Sequence, residues 1–229
     1  MIFVTFENLL SRRLLPSLPS ASIEQSILSH PTFMTSVAII YFSGNGHTHL
    51  MAEAVANGAK QVPNTTVEVL RVTGEQITQG RWHDDEMLQK LNQADAIIFG
   101  SPTYMGGVAA QFKAFIDAAS AVWFTQGWKD KIAGGFTHSG SPSGDKQGTL
   151  LYLMVNAMQH CMVWVGGSDA NQYSDAPDAV NRLGAYAGVM GQTNPDMSGK
   201  TAEVRQGDLL TAQNYGKRIA EATQRWKQG

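Results

Sequence analysis

An apolar strand pattern runs directly into a glycine-rich turn and then into a helical pattern, and this combination constrains the chain more than any other feature. The strand pattern covers residues 37–42 (Val-Ala-Ile-Ile-Tyr-Phe), the turn covers residues 43–48 (Ser-Gly-Asn-Gly-His-Thr), and the helical run covers residues 49–60. Such a turn offers backbone N–H groups, hydroxyls and the positive end of a helix dipole to an anion. Because the turn contains no Lys or Arg, its donors are neutral, which favours a terminal phosphate monoester over a triphosphate.

Two commoner phosphate-binding motifs do not fit this turn. A P-loop requires a Lys after its second glycine, and none is present. The dinucleotide fingerprint requires a third glycine where this chain has His49, and an acidic residue at the end of the second strand, whereas Glu68 lies inside that strand pattern. For this segment alone, a glycine-rich turn with a good helix start and no ligand remains the alternative.

Length, charge and cysteine content exclude several classes of protein. The chain has 229 residues, a length typical of one α/β domain, and a formal net charge of −2 without blocks of like charge. Nucleic acid is therefore disfavoured as a partner, since it needs a clustered basic surface. The single Cys161 excludes an internal disulfide and a cysteine metal cluster. No apolar run approaches the roughly 20 residues that span a bilayer. We expect a cytoplasmic protein without a metal or an integral membrane segment.

The first 33 residues lack the periodic pattern of the rest. They contain Arg12, Arg13, Pro16 and Pro19, and their charge order does not fit a secretory signal. We interpret residues 1–33 as a loosely ordered extension that precedes one domain, residues 34–229. An organellar transit peptide stays open as an alternative, because the segment is rich in Ser and poor in acidic residues.

From residue 37 onward, strand and helix patterns alternate, which predicts a parallel sheet with helices on both faces. The predicted strands are residues 37–42, 66–72, 96–100, 132–137 and 162–165, and the predicted helices are residues 48–61, 84–92, 108–120, 148–158 and 207–227.

Three similar segments follow strands of this predicted sheet. They are residues 43–48, 101–107 and 138–145, all rich in Gly, Ser, Thr and Pro. Ligands of such sheets bind beyond the carboxyl ends of the strands, so the three segments predict a pocket. The long segment 166–200 is either a functional or interfacial loop or an exposed stretch without a role.

At this point the motifs identify a resemblance. The turn at residues 43–48, Gly-Ser-Pro-Thr-Tyr-Met-Gly-Gly at residues 100–107, Phe-Lys-Ala-Phe-Ile-Asp at residues 112–117 and the Ser- and Gly-rich loop after the fourth strand resemble the flavodoxin-like superfamily. Within it, the chain is most similar to the WrbA family of NAD(P)H:quinone oxidoreductases, from about residue 35 to the C-terminus. The resemblance implies a three-layer fold with five parallel strands in the order 2-1-3-4-5, FMN as cofactor and usually a homotetramer.

The resemblance also implies roles for individual residues. The FMN phosphate would be bound by Ser43, Gly44, Asn45, Gly46, His47 and Thr48. One edge of the flavin ring would face Pro102, Thr103, Tyr104, Met105 and Gly106. The other edge and the ribityl chain would face His138, Ser139, Gly140, Ser141, Pro142 and Ser143. His160 would lie near the pyrimidine part of the ring as the catalytic residue, and Trp123 would lie beside the substrate.

Simpler explanations exist for some of these side chains. His160 could be a helix-end histidine bonded to a carbonyl, and Trp123 could cover the edge of the core instead of stacking on a planar quinone. Cys161 is expected to be a small buried residue and not a reactive thiol.

The resemblance to the WrbA family implies an FMN-dependent oxidoreductase that moves two electrons from NADH or NADPH to quinones by hydride transfer through flavin N5. Its partners would be nicotinamide and quinone small molecules and further copies of itself, as a dimer or tetramer. One alternative is a flavodoxin-type electron carrier, although such carriers are strongly acidic and a net charge of −2 argues against it. The other is a flavin-binding regulatory protein without turnover.

Overall fold

The protein folds as three layers, a central sheet with helices on both faces. The structure is a computed structural model that describes residues 34–195 and 201–229, and the predicted extension, residues 1–33, lies outside these ranges. The strands are β1 (Thr35–Phe42), β2 (Thr65–Val72), β3 (Ile77–Thr78), β4 (Arg81–Trp82), β5 (Ala96–Tyr104), β6 (Gly107–Val108), β7 (Ile132–Ser139), β8 (Val163–Trp164) and β9 (Val189–Gln192). The helices are α1 (His47–Ala59), α2 (Asp85–Gln93), α3 (Ala110–Ala118), α4 (Ser120–Phe124), α5 (Lys146–Gln159) and α6 (Gln206–Lys227).

The main sheet has the strand order β2-β1-β5-β7-β8, and these neighbours are parallel. This order is the predicted 2-1-3-4-5, so the flavodoxin-like fold is confirmed. The sheet contains seven strands and not five, because the short β6 pairs with β5 and β9 pairs with β7. The strands β3 and β4 form a separate small hairpin.

Side chains of β1 alternate between two hydrophobic cores, as the two-residue period of a strand requires. Val37, Ile39 and Tyr41 pack with residues of α1 and α6 on one face. Ala38 and Ile40 pack on the other face with residues of α3 and α5. Burial on both faces explains why the central strands are continuous apolar runs.

The helices α1 and α6 cross in close backbone contact. A Cβ atom built on Gly58 would lie 1.7 Å from the carbonyl oxygen of Gln213, and one built on Gly216 would lie 1.9 Å from that of Val55. Only glycine allows this approach on both sides of the crossing. The crossing brings α6 onto the same sheet face as α1.

The predicted third strand is longer than expected and ends in a hairpin. It continues past Pro102 to Tyr104, and a two-residue turn of Met105 and Gly106 joins it to β6. Both turn residues have positive φ, +47° and +82°, which is the geometry of a type I′ turn. The predicted loop at residues 101–107 is therefore a hairpin with a tight turn, at the edge where ligands are expected.

The fifth sheet position is divided between two segments. The strand β8 pairs with the first residues of β7, and β9 pairs with its last four, from Phe136 to Ser139. The segment 166–200, expected to be a loop, thus contributes β9 to the sheet. Trp164 supports this arrangement, because its Nε1 donates to the carbonyl oxygen of Ala187 at 2.7 Å.

Among the described helices, none combines the length and apolar character that a bilayer crossing requires.

Candidate functional site

A cleft of about 190 Å³ lies where β1, β5 and β7 end. It gathers residues from all three predicted segments and from the chain after β9. Its lining consists of Ser43, Asn45, His47, Thr48, Pro102, Thr103, Tyr104, His138, Ser139, Gly140, Thr193 and Pro195. Among the described residues, this lining contains no Lys, Arg, Asp or Glu.

The first segment of the cleft is preorganised as an anion site. Ser43 is buried, and its Oγ accepts from the backbone N–H of Gly46 at 3.1 Å. Gly46 precedes α1 with a φ of +91°, and no side chain caps the helix. The first turn of α1 contains no acidic residue. The N–H groups at this helix start therefore lack the side-chain acceptor that most helices have, which fits a bound phosphate.

The hairpin β5–β6 forms one wall of the cleft and contacts the first segment. The hydroxyl of Tyr104 occupies the space beside Gly44, where a Cβ atom would lie 2.5 Å from it. Thr103 anchors the hairpin from below, because its Oγ1 lies 2.8 Å from the hydroxyls of both Thr137 and Thr149. This buried hydroxyl cluster joins β5, β7 and α5, so it holds the hairpin against β7 and α5.

Two stacked imidazoles lie at the other side of the cleft. The rings of His47 and His138 are 4.7 Å apart with planes 10° from parallel, and Nε2 of His138 lies 3.1 Å from Oγ1 of Thr193. Burial, with help from the neighbouring charges of His47, Lys146 and Arg182, lowers the pKa of His138 to about 3. Burial also lowers the pKa of His47. The pair is therefore neutral at physiological pH and acts as a hydrogen-bonding and stacking surface.

The residues after β9 belong to the cleft, although the sequence patterns did not assign them to it. Thr193 and Pro195 line it directly, and a buried ion pair supports their segment. Arg182 donates to both carboxylate oxygens of Asp208, at 2.9 and 2.8 Å, and to the carbonyl oxygen of Gln192. The only sequence signal for this part of the site was the unusual length of the segment 166–200.

Some predicted cofactor residues flank the cleft without lining it. These are Gly44, Gly46, Met105, Gly106, Ser141, Pro142 and Ser143. They belong to the same three turns as the lining residues, and Met105 is fully exposed at the tip of the hairpin. The cleft thus unites most of the predicted set within the described chain.

His160 and Trp123 are not part of this cleft. Both line a second groove of about 290 Å³, together with Lys113, Ile116, Asp117, Ser120, Tyr152, Val155, Asn156 and Gln159. The physical reason is the direction of α5. The helix starts at the carboxyl end of β7 and runs back along the sheet, so His160 follows its last turn beside the amino ends of the strands.

His160 is buried in this groove, with 4% of its surface exposed, and its ring lies 4.5 Å from that of Trp128. Its Nδ1 has no hydrogen-bond partner among the described residues, so a carbonyl does not satisfy this nitrogen there. Burial lowers the pKa of His160.

Cys161 was expected to be buried and is exposed. Its φ of +60° places it in the left-handed position that ends a helix.

Comparisons with known proteins agree with this geometry. The model of the NADPH-dependent FMN reductase family matches residues 35–171. Flavodoxin FldP from Pseudomonas aeruginosa is 38% identical over 194 residues, which cover 83% of this chain and 98% of that protein. An NAD(P)H dehydrogenase (quinone) from Geotalea uraniireducens is 31% identical over 207 residues, which cover 82% of this chain and 98% of that protein.

A solved structure gives the same result. The WrbA-like flavodoxin from Agrobacterium tumefaciens is 39% identical, aligns with a TM-score of 0.61, and the match covers 83% of this chain and 98% of that one. Fold and cleft together define a flavodoxin-like flavoprotein. The chain belongs to the NADPH-dependent FMN reductase family, of the WrbA type. It is accordingly an oxidoreductase with FMN as its cofactor and NAD(P)H as its electron donor.

Proposed function

We propose that this protein is an FMN-dependent NAD(P)H:quinone oxidoreductase. The observation that carries the proposal is the uncapped start of α1 inside a neutral cleft, beside the buried hydroxyls of Ser43 and Thr48. A terminal phosphate fits these donors, and a helix N-terminus favours its charge. Relatives named NAD(P)H dehydrogenase (quinone), about 31% identical over most of their length, support the reaction.

Bound FMN would supply the redox chemistry, accepting a hydride from NAD(P)H at N5 and passing two electrons on to a quinone. The residues of the chain bind and orient it. The segment around Ser43 would hold the phosphate, and the hairpin of Thr103 and Tyr104 would hold one edge of the ring. His138 would face the other edge as a neutral ring, so it would contribute a hydrogen bond without adding charge.

We further propose that His160 and Trp123 act on the flavin of a second copy of the chain. The helix α5 has 14 residues, so its two ends are about 21 Å apart at 1.5 Å per residue. His160 is therefore far from the cleft loop at residues 138–145, which precedes α5 in the chain. This separation favours a role for His160 at the flavin of a neighbouring subunit. His160 lines this groove, and Trp123, 41% accessible, gives it a stacking surface.

An electron carrier without nicotinamide turnover is the second candidate, and the 38% identity to Flavodoxin FldP favours it. Carriers dock on basic partners through acidic surfaces. The cleft lining described above holds no carboxylate, which favours the enzyme.

Oxidation of NADH and NADPH separates the two candidates. Purified protein would be loaded with FMN, and its absorption spectrum would establish binding. Nicotinamide oxidation would then be followed at fixed protein concentration with and without 1,4-benzoquinone. Multiple turnovers that require the quinone support the oxidoreductase. A protein that binds FMN but leaves both nicotinamides unchanged is the carrier or a regulatory protein, and one that binds no FMN contradicts both.

A further inference from the structure

Lys146 is a fully buried cation directly behind the loop that follows β7. Its ammonium donates to Oγ of Ser139 at 2.9 Å and to the carbonyl oxygens of Ser141 and Pro142 at 2.7 and 3.0 Å. All three acceptors are neutral and belong to one turn. Within the described residues no carboxylate lies within salt-bridge distance of the ammonium. A buried charge with only neutral partners costs free energy, so a use for it is expected.

The charges around Lys146 do not cancel. The buried carboxylate of Asp208 is bonded twice to Arg182 and also accepts from the backbone N–H of Gln192. Lys146, Arg182 and Asp208 therefore carry a formal net charge of +1 in the protein interior. The field of this cluster reaches the cleft, since both cations contribute to the low pKa of His138 in its lining. Burial lowers the pKa of Lys146 itself to about 8, so it remains mostly charged at pH 7.

The loop in front of Lys146 has its carbonyl groups turned inward. Every carbonyl oxygen from Ser139 to Ser143 accepts a hydrogen bond from the protein. The donors, in order along the loop, are Thr193 N, Gln192 Nε2, Lys146 Nζ, Lys146 Nζ and Lys146 N. In contrast, the N–H groups of Gly140, Ser141, Ser143 and Gly144 have no acceptor in the part of the chain that the structure describes. Within the described residues, the loop thus presents N–H groups without an acceptor in front of a positive charge.

We propose that Lys146 is a positioning and electrostatic residue of the flavin site, which turns this loop so that its N–H groups point outward and places a positive charge behind the flavin. The proposal rests on the proposed function, because it assumes FMN in the cleft. Reduction adds negative charge to a flavin, so a nearby cation stabilises the reduced state more than the oxidised state. Lys146 should therefore raise the midpoint potential of bound FMN.

The test compares two neutral variants with a charge-retaining one and a remote control. Lys146→Met removes both the charge and the hydrogen bonds, Lys146→Gln keeps donors but not the charge, and Lys146→Arg keeps the charge. The control is Lys60→Met, which removes the same charge from the exposed end of α1. The measurements are FMN affinity by fluorescence titration and the two-electron midpoint potential by equilibration with a reference dye. Circular dichroism checks the fold.

We expect both neutral variants to bind reduced FMN at least tenfold more weakly relative to oxidised FMN, which lowers the two-electron midpoint potential by at least about 30 mV. Lys146→Arg and Lys60→Met should keep the potential of the unmodified protein. FMN binding that is lost in the neutral variants and recovered in Lys146→Arg also supports the role of the charge. An unchanged potential in Lys146→Gln would overturn it, as would neutral variants that do not fold. If the unmodified protein itself binds no FMN, the proposed function has failed and not this inference alone.

Discussion

The imidazole rings of His47 and His138 stack 4.7 Å apart in the lining of the candidate cleft, and one comes from the start of α1 while the other comes from the end of β7. A charge on either ring would repel a charge on the other, and burial penalises both. Burial lowers the pKa of both rings, and repulsion from His47 adds to this effect at His138, so two histidines stay neutral beside the expected flavin and link the stability of the fold to pH.

The first prediction concerns this linkage. The pKa of His138 is about 3 in the folded chain and about 6.5 when unfolded. Between these values only the unfolded chain binds the proton, so stability falls as the pH falls through 6.5 and is unaffected above it. His138 should cost about 2 kcal/mol of unfolding free energy at pH 5 relative to pH 7.5. Urea unfolding of the FMN-free protein at both pH values measures this.

The matched variants are His138→Gln and His83→Gln, the second at an exposed site. His138→Gln should reduce the loss of stability between pH 7.5 and pH 5 by about 2 kcal/mol. His83→Gln should leave it as in the unmodified protein. The same pH dependence of stability in all three proteins would show that the pKa of His138 is the same in the folded and the unfolded chain.

The second prediction concerns the crossing of α1 and α6. In Gly58→Ala or Gly216→Ala, the new methyl group would overlap a backbone carbonyl that cannot move without separating the helices. We expect a loss of about 3 kcal/mol in the free energy of unfolding. Gly148→Ala in α5 is the control, because its Cβ meets nothing closer than 3.4 Å. It should be neutral or stabilise the protein by up to about 1 kcal/mol through helix propensity. Equal effects at all three glycines would contradict the close crossing.

The third prediction separates the phosphate from the ring. FMN should bind at least about tenfold more tightly than riboflavin, since only FMN offers an anion to the start of α1. Thr48→Val removes one buried hydroxyl at nearly constant volume. It should weaken FMN binding and leave riboflavin binding unchanged. Titrations followed by flavin fluorescence measure both, and a variant that weakens both ligands equally would show that Thr48 does not serve the phosphate.

The strand order and the cleft were predictable because their signals are local. Each strand pattern is a run of buried apolar residues, and parallel strands place their carboxyl ends at one edge. The contribution of residues 189–195 was not predictable in the same way. The strand β9 has four residues, and its last residue, Gln192, is bonded to the ion pair of Arg182 and Asp208, which are 26 positions apart. Such a long-range contact leaves no periodic pattern in the sequence.

The position of His160 shows a different limit. Its neighbours in sequence, α5 and β8, were predicted. However, a helix that connects two parallel strands runs antiparallel to them, so it takes the chain from the carboxyl ends of the strands back to their amino ends. A helix that follows a cleft loop therefore ends far from that cleft in its own subunit. Topology alone would have revealed this, whereas the resemblance described the residue only relative to the flavin.

The fourth prediction concerns residues 1–33, which lie outside the described residues. A chain that starts at Met34 should fold and bind FMN, because the described residues after Thr35 already supply a hydrophobic core on each face of the sheet. Solubility, thermal unfolding and FMN titration of both lengths measure this. An insoluble or FMN-free short chain would place part of residues 1–33 in the fold.

The last prediction concerns His160. His160→Ala should lower quinone reduction more than FMN affinity, since the cofactor is held mainly by the three loops of the cleft, whereas one imidazole matters most when charge develops during the reaction. We expect a loss of about 10² or less in rate, the smaller end for a single donor, because the site has to admit two substrates in turn. Steady-state rates with 1,4-benzoquinone and FMN titrations measure the two effects, with His83→Ala as the control. A variant that loses FMN instead would make His160 a cofactor anchor, and one without either effect would make it a structural helix-end histidine.

Co-expression of two impaired variants decides whether His160 acts across subunits. Asn45→Asp places a carboxylate beside the proposed phosphate position and should abolish FMN binding. The second groove of the same subunit, which contains His160, stays intact. In a mixed oligomer, the His160→Ala subunit binds FMN and the Asn45→Asp subunit supplies the imidazole. Activity per bound FMN should then rise above that of His160→Ala alone. Different affinity tags on the two variants, with purification over both columns in turn, establish that mixed oligomers form. If they form and activity per FMN does not rise, His160 does not serve the flavin of a second copy.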